Sequence, residues 1–152
     1  MRKQILKDSV CSLGIMLVLS ACATMSHFDR QSYVETISIK VESLALIEKA
    51  HLPYEQFRDE SEAILMDMAK IYEYEKHRRG NSETIQMWEI MLDPNQHLFA
   101  GFLNKWEGED KLSPDFIREA AAIIESGFDL IIDLENNKVK PNQAQEQIFQ
   151  FS

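Results

Sequence analysis

Apolar positions recur along this chain at steps of three and four residues, the period of a helix with one buried face. From residue 32 to about 50 they are Val34, Ile37, Ile39, Val41, Leu44, Ala45 and Ile47, and the series 34, 37, 41, 44 forms one stripe. Residues 37–41 also alternate, so a strand is a rival there; the length of the pattern favours helix. A second helix is expected from 54 to about 79, with Phe57, Ile64, Leu65, Met68, Ile71, Tyr72 and Glu75 along its face. Gly80-Asn81 stops it, and the cations Lys76, His77, Arg78 and Arg79 suit the negative end of its dipole. Ser82 is the N-cap candidate of a third helix, which carries Ile85, Met87, Trp88, Met91 and Leu92 until Asp93-Pro94 interrupts. The pattern resumes over 95–106 with Leu98, Phe99, Phe102, Leu103 and Trp106.

Residues 107–112 are a polar loop. Ser113-Pro114-Asp115 then gives the strongest helix start in the chain, a Ser cap followed by Pro at the first helical position and an acid. The helix reaches about Leu134, and its Phe116, Ile117, Ala120, Ile123, Ile124, Phe128 and Ile131 are expected at the centre of the core. Asn136-Asn137 stops it. Residues 137–152 are read as a loose tail or a short final helix built on Ile148, Phe149 and Phe151. No paired strand runs are bounded by hairpin signals. The fold expected is all-α, an irregular antiparallel bundle of four to five helices over residues 32–136.

The bundle is preceded by a different kind of segment. Arg2, Lys3 and Lys7 lead into a mostly apolar run over residues 10–19, too short to span a bilayer comfortably, and the run ends in Leu19-Ser20-Ala21-Cys22. This resembles the lipobox of bacterial lipoproteins. The resemblance implies that residues 1–21 are a cleaved signal peptide and that Cys22 carries lipid. It covers the first two dozen residues and says nothing of the helices. Ala23, where a retained lipoprotein has Asp, implies sorting to the outer membrane. Residues 22–31 are then a short tether. Its residues 23–30, about eight at roughly 3.3–3.6 Å each, hold the bundle within about 3 nm of the lipid.

Charge and cysteine content narrow the functions. The net charge is −9; without the signal, whose own charge is +2, it is about −11. So acidic a body excludes nucleic acid and a polybasic grip on anionic lipid. Cys11 leaves with the signal, so the mature chain has neither an internal disulfide nor a cysteine metal site.

Candidate chemistry is sparse. Glu48 and His51 form one Glu-x-x-His pair, where di-iron bundles use two with further glutamates, and His51 falls at a helix end. Asp59, Glu60, Glu62 and Asp67 read as a solvated acidic face. No metalloprotease, hydrolase-elbow or phosphate-loop motif is present, and no cofactor or metal is implied. The residues proposed for partner binding are Tyr74, Arg78 and Arg79, an aromatic-basic cluster, with Trp88, Met91 and Trp106 as a possible groove lining.

These readings add up to a non-catalytic lipoprotein on the periplasmic face of the outer membrane that binds another envelope protein. The alternatives are a small-ligand or enzyme-like helical domain, and an inhibitor or immunity protein against a periplasmic enzyme. The anchor has its own test. Metabolic labelling with a palmitate analogue should mark the wild type and leave Cys22→Ser unmarked; equal labelling of both would refute acylation at Cys22.

Overall fold

A computed structural model describes residues 28–136 and 138–151. Cys22, the signal segment and most of the tether lie outside them. Six α-helices follow in order: α1 Arg30–Ile47, α2 Arg58–Lys76, α3 Ser82–Leu92, α4 Phe99–Glu109, α5 Pro114–Glu135 and α6 Pro141–Ile148. Short 3-10 turns cover Glu48–His51, Tyr54–Phe57 and Phe149–Phe151. The described residues contain no strand, so residues 37–41 are helical. No helix among them is long and apolar enough to cross a membrane. The all-α bundle expected from the apolar pattern is the fold formed. Residues 137–152, expected as a loose tail or a short final helix, contain the helix α6, the sixth among the described residues.

Local signals explain most boundaries. Ser113 Oγ accepts from the Phe116 N–H at 3.3 Å, with Pro114 at the first helical position of α5. Gly80 takes φ 76°, the left-handed geometry that glycine adopts without a Cβ penalty, just after α2. The helix starts expected at 54 and 95 fall at Arg58 and Phe99, and two further boundaries are corrected. Ser82 is already inside α3, and the cap position belongs to Asn81, whose side chain is engaged elsewhere. Residues 107–109 extend α4 instead of forming a loop; the helix stops at Asp110, which takes φ 63°.

Asp110 lies at a corner that joins two helical connections. Its carbonyl accepts from the Tyr54 N–H at 3.0 Å and from Trp106 Nε1 at 3.2 Å. Trp106 Nε1 also lies 3.0 Å from the Leu52 carbonyl, and the Leu112 N–H donates to the Ala50 carbonyl at 2.8 Å. The start of α5 is therefore fixed beside the end of α1. Near the middle, Lys40 of α1 reaches Asp129 at 2.6 Å and Glu125 at 3.1 Å on α5. At the far end Arg78 bridges Asp29 and Glu135. Residue numbers thus run in opposite directions along the pair, which makes α1 and α5 antiparallel. The core between the helices is filled by large side chains: Trp88 meets Phe128 edge-on at 6.2 Å, and Trp106 meets Tyr54 at 5.3 Å.

Helix α1 departs most from expectation. Its buried residues are Ser32, Thr36, Ile39, Ser43, Leu46 and Ile47. Of the expected core stripe only Leu44 packs against the core; Val34 is 53% exposed, Val41 61%, and Ile37 lies half-buried. The series 32, 36, 39, 43, 46 has the same helical period as 34, 37, 41, 44 and occupies another face. The buried face carries small hydroxyl side chains, and Thr36 satisfies its hydroxyl on the Ser32 carbonyl at 2.7 Å.

Two glycines of α4 should respond in opposite directions to alanine. A Cβ at Gly101 would lie 1.7 Å from the Gln96 carbonyl oxygen, whereas at Gly108 nothing lies within 4 Å. Gly101→Ala should destabilise by about 2 kcal/mol or more through forced backbone displacement. Gly108→Ala should stabilise by about 0.5–1 kcal/mol through helix propensity. Thermal or urea unfolding of both variants measures this; a shared sign would contradict the packing described.

Candidate functional site

Four chain segments converge on one buried polar knot. Glu75, at the end of α2, is fully buried and Glu135, at the end of α5, is 2% exposed. Arg78 lies between them. Its Nη1 is 2.8 Å from both Glu75 oxygens and 2.8 Å from Glu135 Oε1. Glu75 is further held by the Ser32 hydroxyl of α1 and by Asn81 Nδ2, which also donates to the Glu75 carbonyl at 2.9 Å. Asp29 closes the outer side. Its Oδ1 caps α1 by accepting from the N–H groups of Gln31 at 2.9 Å and Ser32 at 3.0 Å. Its Oδ2 accepts from the Tyr74 hydroxyl at 2.7 Å and lies 3.8 Å from Arg78 Nε.

The electrostatics follow from this geometry. The Ser32 N–H, the Tyr74 hydroxyl and the Arg78 charge hold the Asp29 carboxyl below its ordinary range. Burial pushes the Glu135 carboxyl up, and the negative charge of Glu75 adds to this against the pull of Arg78. Burial alone would lower the Arg78 guanidinium, but its bonds and charge contacts with Glu135 and Glu75 outweigh that and raise it. Glu135 Oε2 meets no hydrogen-bond partner among the described residues. A substrate would have to open the bundle to reach either glutamate, so the knot clamps helices together.

The surface offers open clefts. One of about 430 Å³ runs between α1 and α2 beside Glu35, Glu42, Asp67, Lys70 and Tyr74. Another of about 370 Å³ lies between α4 and α5, lined by His97, Phe102, Lys105, Phe116 and Ile123. A third of about 360 Å³ is bordered by His51, Ile117 and Arg118. Among the described residues no group of three or more His, Cys, Asp and Glu side chains is arranged to hold a metal ion. His51 Nδ1 lies 2.9 Å from the Glu48 carbonyl, so the Glu-x-x-His pair closes a turn.

The residues singled out from sequence are dispersed. Trp88, Met91 and Trp106 are fully buried, which corrects their assignment to a partner groove. They are large apolar side chains on inward helix faces, with Trp88 of α3 packed against Phe128 of α5 and Trp106 at the Asp110 corner. Tyr74 and Arg78 do meet, through Asp29, but Arg78 is spent in the knot. Arg79 is exposed one residue further on. Cys22 lies outside the described residues. Sequence reasoning missed the roles of Asp29, Ser32, Asn81, Glu75 and Glu135. Glu75 carried a signal, since a charged residue in register with Ile64, Met68 and Ile71 has to be paired to be buried. No known protein family, curated protein or solved structure matches the chain.

Arg78→Leu should cost about 3–5 kcal/mol, because it leaves two buried carboxylates uncompensated. Glu135 has a distinct pH signature. Its carboxyl titrates higher folded than unfolded, so its contribution is fully present below the ordinary glutamate value and is lost as pH rises through the raised one. Relative to Glu135→Gln, the wild type should therefore lose stability as pH rises from the ordinary value of about 4.3 through the raised one. Parallel Tm-against-pH curves would contradict the buried position of Glu135.

Proposed function

We propose that the mature chain is an outer-membrane lipoprotein, anchored through Cys22 on the periplasmic face, that binds another envelope protein and catalyses no reaction. The lipobox-like Leu19-Ser20-Ala21-Cys22 supports the address. The binding role is supported above all by the outward stripe of α1, where Val34 and Val41 stand exposed while Ser32, Thr36 and Ser43 are buried. Turning such a helix over would hide the valines, and the knot prevents it. Full burial of a valine side chain contributes at least about 1.5 kcal/mol, so a partner that covers both gains appreciably. The stripe also begins within a few residues of the tether, so the partner comes to the membrane.

One observation favours a second reading. The cleft between α4 and α5 carries the stacked pair Phe102 and Phe116, 6.2 Å apart, with half-exposed Ile123 at its edge, a lining suited to a small apolar ligand.

Cross-linking in living cells followed by mass spectrometry, on wild type, Cys22→Ser and Val34→Glu/Val41→Glu, tests the first reading. The wild type should yield a defined set of envelope proteins. That set should shrink in Cys22→Ser and vanish in the double variant. An identical set from all three proteins would contradict the proposal.

A further inference from the structure

We infer that the outer face of α1, with the acidic cleft beside it, seats a basic amphipathic helix of the partner protein; this rests on the protein-binding reading and names the partner's chemistry. Val34, Ile37 and Val41 form the apolar line. At a rise of about 1.5 Å per residue, Val34 and Val41 stand roughly 10 Å apart, two turns along one face. Glu35 and Glu42 repeat the same seven-residue step on the side facing the cleft between α1 and α2. Both are exposed, and among the described residues each accepts only from a neutral neighbour on its own helix: Glu35 from Gln31 Nε2 at 3.1 Å, Glu42 from Ser38 Oγ at 2.9 Å.

Neither glutamate meets a cation among the described residues, whereas nearby charges are committed. Lys40 is held by Asp129 and Glu125, and Asp67 by Lys70 at 2.7 Å. An apolar line flanked on one side by two uncommitted carboxylates, with a cleft of about 430 Å³ to receive long side chains, is the complement of one kind of helix. That helix has apolar residues at three- and four-residue steps and Lys or Arg seven residues apart on one flank. An anionic lipid surface would instead meet both carboxylates unfavourably, and a second copy would bring two more of the same sign.

The test uses the full chain in its own cells, with the photo-cross-linker benzoylphenylalanine placed in turn at Val34, Val41, Ile123 and Phe149, and sequencing of whatever segment is captured. Cross-links from 34 and 41 should fall on a segment of another protein with that apolar and basic spacing. Their yield should drop at least fivefold in Glu35→Lys/Glu42→Lys and recover when the partner's basic residues are exchanged for glutamate. Helical content by circular dichroism should stay unchanged in the double variant, since both glutamates are exposed. Adducts from 34 and 41 with phospholipid, with a second copy or with a segment lacking basic residues would overturn the inference, as would a yield indifferent to charge reversal. Protein adducts from Ile123 or Phe149 alone would overturn this seat and leave the protein-binding reading standing. Absence of protein adducts from all four positions would overturn both.

Discussion

Arg78 between two buried carboxylates is the interaction on which the arrangement of the helices rests. Taking a carboxylate out of water costs several kcal/mol even after relaxation, so the position is tolerable only if its partners are complete. Glu75 has them in Arg78, Ser32 and Asn81, drawn from the end of α2, the start of α1 and the cap of α3. Glu135 has Arg78 on one oxygen, its other oxygen has no hydrogen-bond partner among the described residues, and burial pushes its carboxyl above the ordinary range. Because the partners come from four segments, the cost of breaking the knot falls on all of them together.

The knot sets the rotation of α1. Asp29 and Ser32 must face inward to reach Arg78 and Glu75, and the helical period then carries Thr36, Ile39 and Ser43 to the same side. At the other end, the Ala50 carbonyl is bonded to the Leu112 N–H and holds the register against α5. Secured at both ends, α1 exposes Val34 and Val41 in a fixed geometry. A recognition surface carried on such a helix is preorganised in a way that a loop is not. The polar interior of the knot and the apolar exterior of the stripe are therefore two consequences of one constraint.

Much of the fold was legible from sequence, for reasons that vary by element. The start of α5 was clear because Ser113 and Pro114 act within one turn and need no tertiary partner. Helix α1 was assigned its stripe wrongly because two faces share one period, and the more apolar face loses to the one that completes a distant ion network. Trp88, Met91 and Trp106 misled because aromatic and sulfur-containing side chains serve cores and interfaces alike. Glu75 was in view on an apolar face, yet its partners Ser32, Asn81 and Arg78 cannot be paired with it from spacing alone. Of the candidate surface, Val34 and Val41 were visible as residues; that they face outward was not.

The rotation of α1 is the claim from which the rest follows, and thiol accessibility measures it directly. In a Cys11→Ser/Cys22→Ser background, a single cysteine is placed in turn at Val34, Thr36, Val41 or Ser43, and its reaction with a maleimide is timed. The account predicts that positions 34 and 41 react at close to the rate of an unstructured peptide. Positions 36 and 43 should be slower by a factor on the order of 10² or more, reacting only through local opening. Fast reaction at 36 and 43 with protection at 34 and 41 would place the valine stripe inside and contradict the account.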